Sequence, residues 1–426
     1  MNCRLRSIAA TGLAALTFAA VGRADNWPNW RGPTYDGICT EKGLPTKWSE
    51  TENIAWKLKM PGSGGSTPVV WNDKIFLTSE DGKSVELLCL ATSGKILWQH
   101  ILGAGGGTYM RGEGNDASPS PSTDGEHVYT FTGHGDLACC DLDGNVVWNF
   151  NAQERYGVFE IWHGMHTTPL LYGDRLYIQL LHAKGAWVIA LDKLTGKDVW
   201  KVKRETDAEN ESKQSYASVV PWHKGNESYI ICHGGDYTTA HRLDDGQEIW
   251  RLGGLNPKEH YNGYLRFVAS PLATADLIVV PTAKNESVVG LKPNAHGFVT
   301  VGDPMEQWRL PKKTPDVPSP LAYGGLVYLY RENGDLLCLD EATGAEVYSK
   351  GRTHEGRHRA SPVYADGLIY LGARDGTVTV VKAGRKYEQV AQNRLTDTLT
   401  ASPVISNGRI YLRGWDYLYA IGTPVR

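Results

Sequence analysis

The chain lacks the features that would mark several common functions. Its 44 Lys and Arg stand against 47 Asp and Glu, a formal net charge of -3. No basic stripe gathers anywhere, so nucleic acid is not indicated as a partner. Beyond the first segment no apolar run could cross a bilayer. There is no Cys-x-x-Cys pair to found a zinc site and no Gly-x-Ser-x-Gly nucleophile elbow. The run Gly103-Ala-Gly-Gly-Gly107 lacks the Lys and helix of a phosphate loop and reads as a connection. Three Asn-Glu-Ser triplets, beginning at Asn210, Asn226 and Asn285, match glycosylation sequons, which a bacterial source would make incidental.

Residues 1–24 read as a signal peptide. Arg4 and Arg6 precede an apolar run from Ile8 to Val21, with small residues up to Ala24. No Cys follows the cleavage site closely, so a lipid anchor is not indicated. The mature chain is expected to be exported, periplasmic or extracellular, with no transmembrane span. Export permits disulfides, yet Cys89, Cys139 and Cys338 fall at one repeat position that is elsewhere Ala190 or Ala420. That pattern predicts a small buried residue rather than a disulfide framework.

One phrase recurs about eight times: Ser-Pro, a short strand, a tight turn, an apolar-aromatic strand, then Leu-Asp, a Gly turn and Trp. Its starts are Thr67-Pro68, Ser118-Pro119, Thr168-Pro169, Ser218-Val219, Ser270-Pro271, Ser319-Pro320, Ser361-Pro362 and Ser402-Pro403. The spacing is about 50 residues early and about 41 late, the range of four-stranded blades. The closing aromatic falls at Trp98, Trp148, Trp200, Trp250, Trp308 and Tyr348, with Val390 in the degenerate seventh copy. The eighth copy lacks its fourth strand, and Asn53-Ile-Ala-Trp56 reads like that missing piece. The sequence therefore predicts an all-β, eight-bladed β-propeller of four-stranded antiparallel blades over residues 53–426, its ring closed by an N-terminal strand that removes the free edges. Residues 25–52 form an N-terminal extension.

Connections from blade to blade are long in the first half: 103–116, 151–165, 203–215 and 253–267. Turns between strands one and two, and three and four, are short almost everywhere. One face is thus plain and the other decorated, and functional groups sit preferentially on such loops. The candidate binding face comprises Arg111, Asn115, Trp162, His163, His166, Arg204, Tyr216 and Arg266, joined from later blades by Arg331, His358, Arg359, Arg374, Arg413 and Trp415. The pairs His163/His166 and His354/His358 are candidate metal ligands; packing or solvent exposure explains them better, and no metal is expected.

The repeat Ala190-Leu-Asp192-Lys-Leu-Thr-Gly196-Lys-Asp-Val-Trp200 is similar to the tryptophan-docking motif of the pyrroloquinoline-quinone-like (PQQ-like) propeller superfamily, and residues 53–421 resemble it throughout. That superfamily includes quinoprotein alcohol dehydrogenases and the propeller lipoprotein of bacterial outer-membrane protein assembly. The phrases Trp27-Pro-Asn-Trp30-Arg-Gly-Pro33, Asn115-Asp-Ala-Ser-Pro119 and Leu412-Arg-Gly-Trp-Asp-Tyr resemble a group of exported proteins common in planctomycete-type bacteria. Membership implies a fold rather than a reaction. A dehydrogenase of this superfamily uses an Asp base, a calcium ion beneath the quinone, and an adjacent-Cys disulfide over it. Cys139-Cys140 is the tempting match, but neighbours in one strand point to opposite sides, and the calcium-ligand and Asp motifs have no counterpart. The expectation is a non-catalytic scaffold, without cofactor, that binds an envelope protein or small ligand. The alternatives are a PQQ- and calcium-dependent alcohol or sugar dehydrogenase, and a small-molecule or glycan binder at the channel mouth.

Overall fold

The computed structural model describes residues 26–107 and 113–422, so the expected signal peptide and Arg111 lie outside the described residues. Eight sheets, each with four antiparallel strands, follow one another along the chain. Blade 1 comprises Val69–Trp71, Lys74–Glu80, Ser84–Ala91 and Ile96–Ala104, innermost first. Blade 8 takes three strands from Val404–Ser406, Arg409–Arg413 and Tyr417–Ile421. Its fourth is the N-terminal strand Ile54–Lys59, with Trp56 opposite Ala420. Helix is confined to Ala152–Tyr156 and two short 3-10 turns among the described residues. Among the described residues no helix is long and apolar enough to cross a membrane.

Two repeated devices hold the ring. The first is tryptophan docking. Five of the six closing Trp donate the indole N–H to a carbonyl in the next blade's outer turn: Trp56 to Thr92, Trp98 to Leu142, Trp148 to Lys193, Trp200 to Leu243 and Trp308 to Glu341, at 2.8–3.1 Å. The ring lies flat on that turn's glycine. At Gly196 (φ 64°) a Cβ would stand 2.7 Å from Trp148, so the position demands both a left-handed backbone and no side chain. The residue paired with the Trp inside its own blade is small for the same reason: Cys89, Cys139, Ala190, Ala240 and Gly290 hold that slot. All six cysteines among the described residues are buried, and none forms a disulfide.

The second device is a closed ring of hydrogen bonds around the axis. The backbone N–H of Thr67 donates to Ser120 Oγ, Ser120 to Thr168, Thr168 to Ser218, Ser218 to Ser270, Ser270 to Ser319, Ser319 to Ser361, Ser361 to Ser402, and Ser402 back to Thr67, at 2.9–3.2 Å. The recurrent Ser/Thr-Pro follows from this. The innermost strand is a sheet edge, so its first N–H finds a partner only in the neighbouring blade's hydroxyl. The next residue needs no partner if it is Pro.

Two readings are corrected by register, and one blade departs from the repeat. In blade 2 the ring position is Ser120, not Ser118, whose Oγ instead accepts from Asn115 N at 2.8 Å. In blade 7 the tryptophan slot is Ala391, opposite Val380, one residue past Val390. The three-to-four connection of blade 5 is long, and its strand Gly297–Val299 adds in parallel to the outer edge of blade 4. At that joint Trp250 Nε1 makes no hydrogen bond; Tyr229, edge-on to Trp250 at 6.1 Å, donates to Pro293 O instead.

Candidate functional site: the axial channel and the decorated mouth

The axis of a propeller is its natural site, and here the chain occupies it itself. Residues 26–39 enter from the plain face as a hairpin. Trp27 exchanges two backbone hydrogen bonds with Val70 of blade 1, and Thr123 of blade 2 donates to Pro28 O. Tyr35 Oη donates to Leu171 O of blade 3. The return strand Ile38–Cys39 pairs in parallel with Val363–Ala365, the innermost strand of blade 7. Gly32 and Gly37, at φ 80° and 84°, turn the hairpin and leave room for Trp27 and for the Arg31 guanidinium.

Arg31 anchors this plug. It is 5% exposed. Its Nη1 donates to Pro362 O (3.0 Å), and its Nη2 to Pro320 O (2.8 Å) and Asp36 O (2.6 Å). Burial lowers its pKa to about 10, opposed by Asp36, so it stays charged at neutral pH. The space left beside the plug, lined by Asn29, Tyr35, Ser122, Leu170 and Pro271 among others, amounts to about 20 Å³. That is room for one water.

Beyond the plug the extension repairs the ring's weakest joint. Blade 7 carries Ala391 where other blades carry Trp. Trp48, 4% exposed, lies over Tyr370 at 6.5 Å, much as Trp200 lies over Tyr177. Trp48 N donates to Asn393 Oδ1, and Glu41 accepts from the amides of Asn407 and Gly408 in blade 8. The sequence marks residues 25–52 only as an N-terminal extension; their dense Trp, Pro and Gly are the available sign of a buried segment.

The decorated face separates the candidate residues into two kinds. Asn115, Arg204, Tyr216, His358, Arg413 and Trp415 are buried. Arg204 donates to Tyr237 O and Thr239 Oγ1, and Arg413 to Gly62 O. Burial lowers both to about 10. Asn115 Nδ2 donates to Ser63 O, and Tyr216 Oη to Gln214 Oε1. His358 contacts Tyr330 Oη, His354 O and Gly372 O. Burial, with His163 nearby, lowers His166 to about 4. Arg204, His358 and Arg413 join one blade to the next, whereas Asn115 and Trp415 also line an open cleft of about 460 Å³ with Gly62, Glu80 and Asp416.

The rest form two surface groups. Trp162 and Tyr264, 57% and 52% exposed, stand 6.1 Å apart. Beside them the buried carboxylate of Glu211 faces Arg266 at 3.3 Å and His163 at 3.7 Å. The second group lies at the mouth. Arg359 Nε and Arg374 Nη1 each stand 2.7 Å from a different oxygen of Glu113, and Arg357 Nη1 adds a contact at 3.2 Å. Arg331 is set apart, on Asn285 and Asp335. Glu113 comes from the connection between blades 1 and 2, its partners from the 6–7 connection and blade 7. It drew no notice in the sequence, because nothing local marks a contact between residues 246 positions apart.

Cys139 and Cys140 test the cofactor that the resemblance implies. Both are fully buried and point to opposite sides of their strand. Cys139 packs toward blade 3 with Leu171 and Ile178, Cys140 toward blade 1 with Phe76 and Leu87. Neither faces the channel. Among the described residues no three His, Cys, Asp or Glu side chains converge as a metal site requires. These residues do not fit a quinone held between a disulfide and a calcium ion.

The repeats match one family across three overlapping or adjoining stretches, residues 38–149, 86–296 and 299–423, under the description outer membrane protein assembly factor BamB. The chain belongs to that family. Among solved structures it is similar to BamB from Moraxella catarrhalis, with a TM-score of 0.62 at 13% identity, covering 88% of this chain and 98% of that one. It is also similar to the quinohemoprotein alcohol dehydrogenase of Comamonas testosteroni (TM-score 0.66, 12% identity, 94% and 81% covered). A europium-containing methanol dehydrogenase gives 0.66 at 12% identity, with 91% and 89% covered. At such identities the likeness shows the propeller fold alone. No curated protein matches in sequence.

Proposed function

We propose that this chain is an exported, non-catalytic β-propeller that binds a partner protein in the cell envelope through its decorated face. The observation that carries the reading is the plug: residues 26–39 fill the axis and leave about 20 Å³ beside them. Recognition then falls to the surface, where the long inter-blade connections present the Trp162–Tyr264 pair and the arginines of the mouth. Exposed aromatic and Arg side chains are the groups that dominate protein interfaces. The residues of 1–24 support export, and the family supports an envelope role.

A photo-crosslinking residue at Trp162 or Tyr264, compared with one at Leu194 on the plain face, tests this in the source cell envelope. Discrete adducts from the first two positions alone support the reading. Adducts from all three or from none overturn it.

A further inference from the structure

The arginine cluster at the mouth has the form of a ligand site with a ligand already in it. Each oxygen of Glu113 meets a guanidinium of its own, from Arg359 and Arg374, while Arg357 reinforces one of them. No single arginine grips both oxygens; Arg359 and Arg374 together supply the paired charged donors that a planar carboxylate accepts. The donors are set without help from Glu113. Arg374 N donates to Arg357 O, and Leu399 N to Arg374 O, joining the two arginine-bearing loops through their backbones. Buried His358, between Arg357 and Arg359, fixes that loop through His354 O and Gly372 O. Arg359 also reaches Glu332 Oε2 at 3.4 Å, so its far side is neutralised and its near side faces the mouth.

Glu113, by contrast, comes from across the ring, three blade junctions away, with its side chain 22% exposed. Arg357 is 66% exposed. The Arg359 and Arg374 side chains are themselves only 17% and 21% exposed, so the outer Arg357 pair is the one open to water and weak. Burial alone would raise the Glu113 carboxyl, but Arg359, Arg374 and Arg357 hold it below its usual range.

We propose that Arg357, Arg359 and Arg374 form a binding site for the carboxylates of an acidic polypeptide segment, and that Glu113 is the chain's own stand-in for that ligand. This rests on the partner-binding reading and names the partner's chemistry. A tethered stand-in competes at an effective concentration in the millimolar range. Its removal raises apparent affinity by the fraction of time the site was blocked.

The test is calorimetry of hexaglutamate, with hexaglutamine as control, at low and moderate salt. Glu113→Gln is expected to bind hexaglutamate at least tenfold more tightly than the unaltered protein, with affinity falling as salt rises. Adding Arg359→Gln and Arg374→Gln is expected to abolish that binding. Glu113→Asp, which keeps the charge but withdraws it by one methylene, is expected to fall between; it carries the test if Glu113→Gln does not fold. Equal affinity in variant and unaltered protein, or binding that survives loss of both arginines, overturns the proposal. Crosslinking from Trp162 is read separately. Adducts there without hexaglutamate binding leave the scaffold standing and the carboxylate site refuted; the converse result refutes the scaffold alone.

Discussion

Replacing Arg31 by Met would remove the anchor of the axial plug while keeping much of its volume. Three carbonyl oxygens, of Pro320, Pro362 and Asp36, would lose a charged donor in a buried place. An unsatisfied buried acceptor costs roughly 1–3 kcal/mol. Against that stands the released penalty of burying a guanidinium, so a net loss of about 3 kcal/mol is expected. The size of the chain decides how to measure it. At roughly 2 cal/mol/K per residue, 426 residues give an unfolding entropy near 0.9 kcal/mol/K, and the Tm would fall by only about 3 °C. Local opening is far more sensitive, since about 3 kcal/mol multiplies the open population more than a hundredfold. Hydrogen exchange at Thr123 and Tyr364 is therefore the assay, because their amides donate to Pro28 O and Gly37 O of the plug. Both are expected to exchange about a hundredfold faster in the variant, with amides of the blade strands little changed. Exchange at the unaltered rate would refute the anchoring role of Arg31.

Gly196→Ala and Gly173→Ala share φ 64°, but only at Gly196 would the Cβ meet Trp148; the first is expected to cost about 3 kcal/mol in urea unfolding and the second about 1. Trp48→Ala should cost about 3–5 kcal/mol and speed proteolysis near residues 40–50, since Trp48 supplies the aromatic that blade 7 lacks. Burial lowers His166 to about 4, His233 to about 3 and His241 to about 4. The unfolded chain thus binds more protons below about pH 6.5, and these groups' contribution, full above that pH, is lost as pH falls toward 4. Each should remove about 2 kcal/mol between pH 6.5 and 5, and His233→Gln should flatten the fall in chemically induced unfolding.

Much of the fold was legible because propeller devices are local and repeated. The Trp, the Gly beneath it and the small residue opposite it lie within one phrase, and the ring of Ser and Thr hydroxyls follows the Pro. Where a copy contains two candidate phrases, as at Ser118-Pro119-Ser120-Pro121, only the pairing chose Ser120. The bulge that shifts the slot to Ala391 is likewise invisible without register. The site was less legible for a different reason. Arg413 occupies the strand position that Gln179, His233 and Tyr330 hold in other blades, and that position turns toward the next blade. Nearness to the mouth in sequence therefore did not mean exposure to it. The plug and Glu113 act across the ring, and neither contact leaves a local trace.

The most direct measurement is calorimetry of the mature protein with pyrroloquinoline quinone, with and without calcium. A propeller whose axis is filled by its own residues 26–39, and whose Cys139 and Cys140 face blade interiors, is expected to give no heat and no thermal stabilisation. Tight, calcium-dependent binding would contradict the scaffold reading and make a dehydrogenase assay the next step.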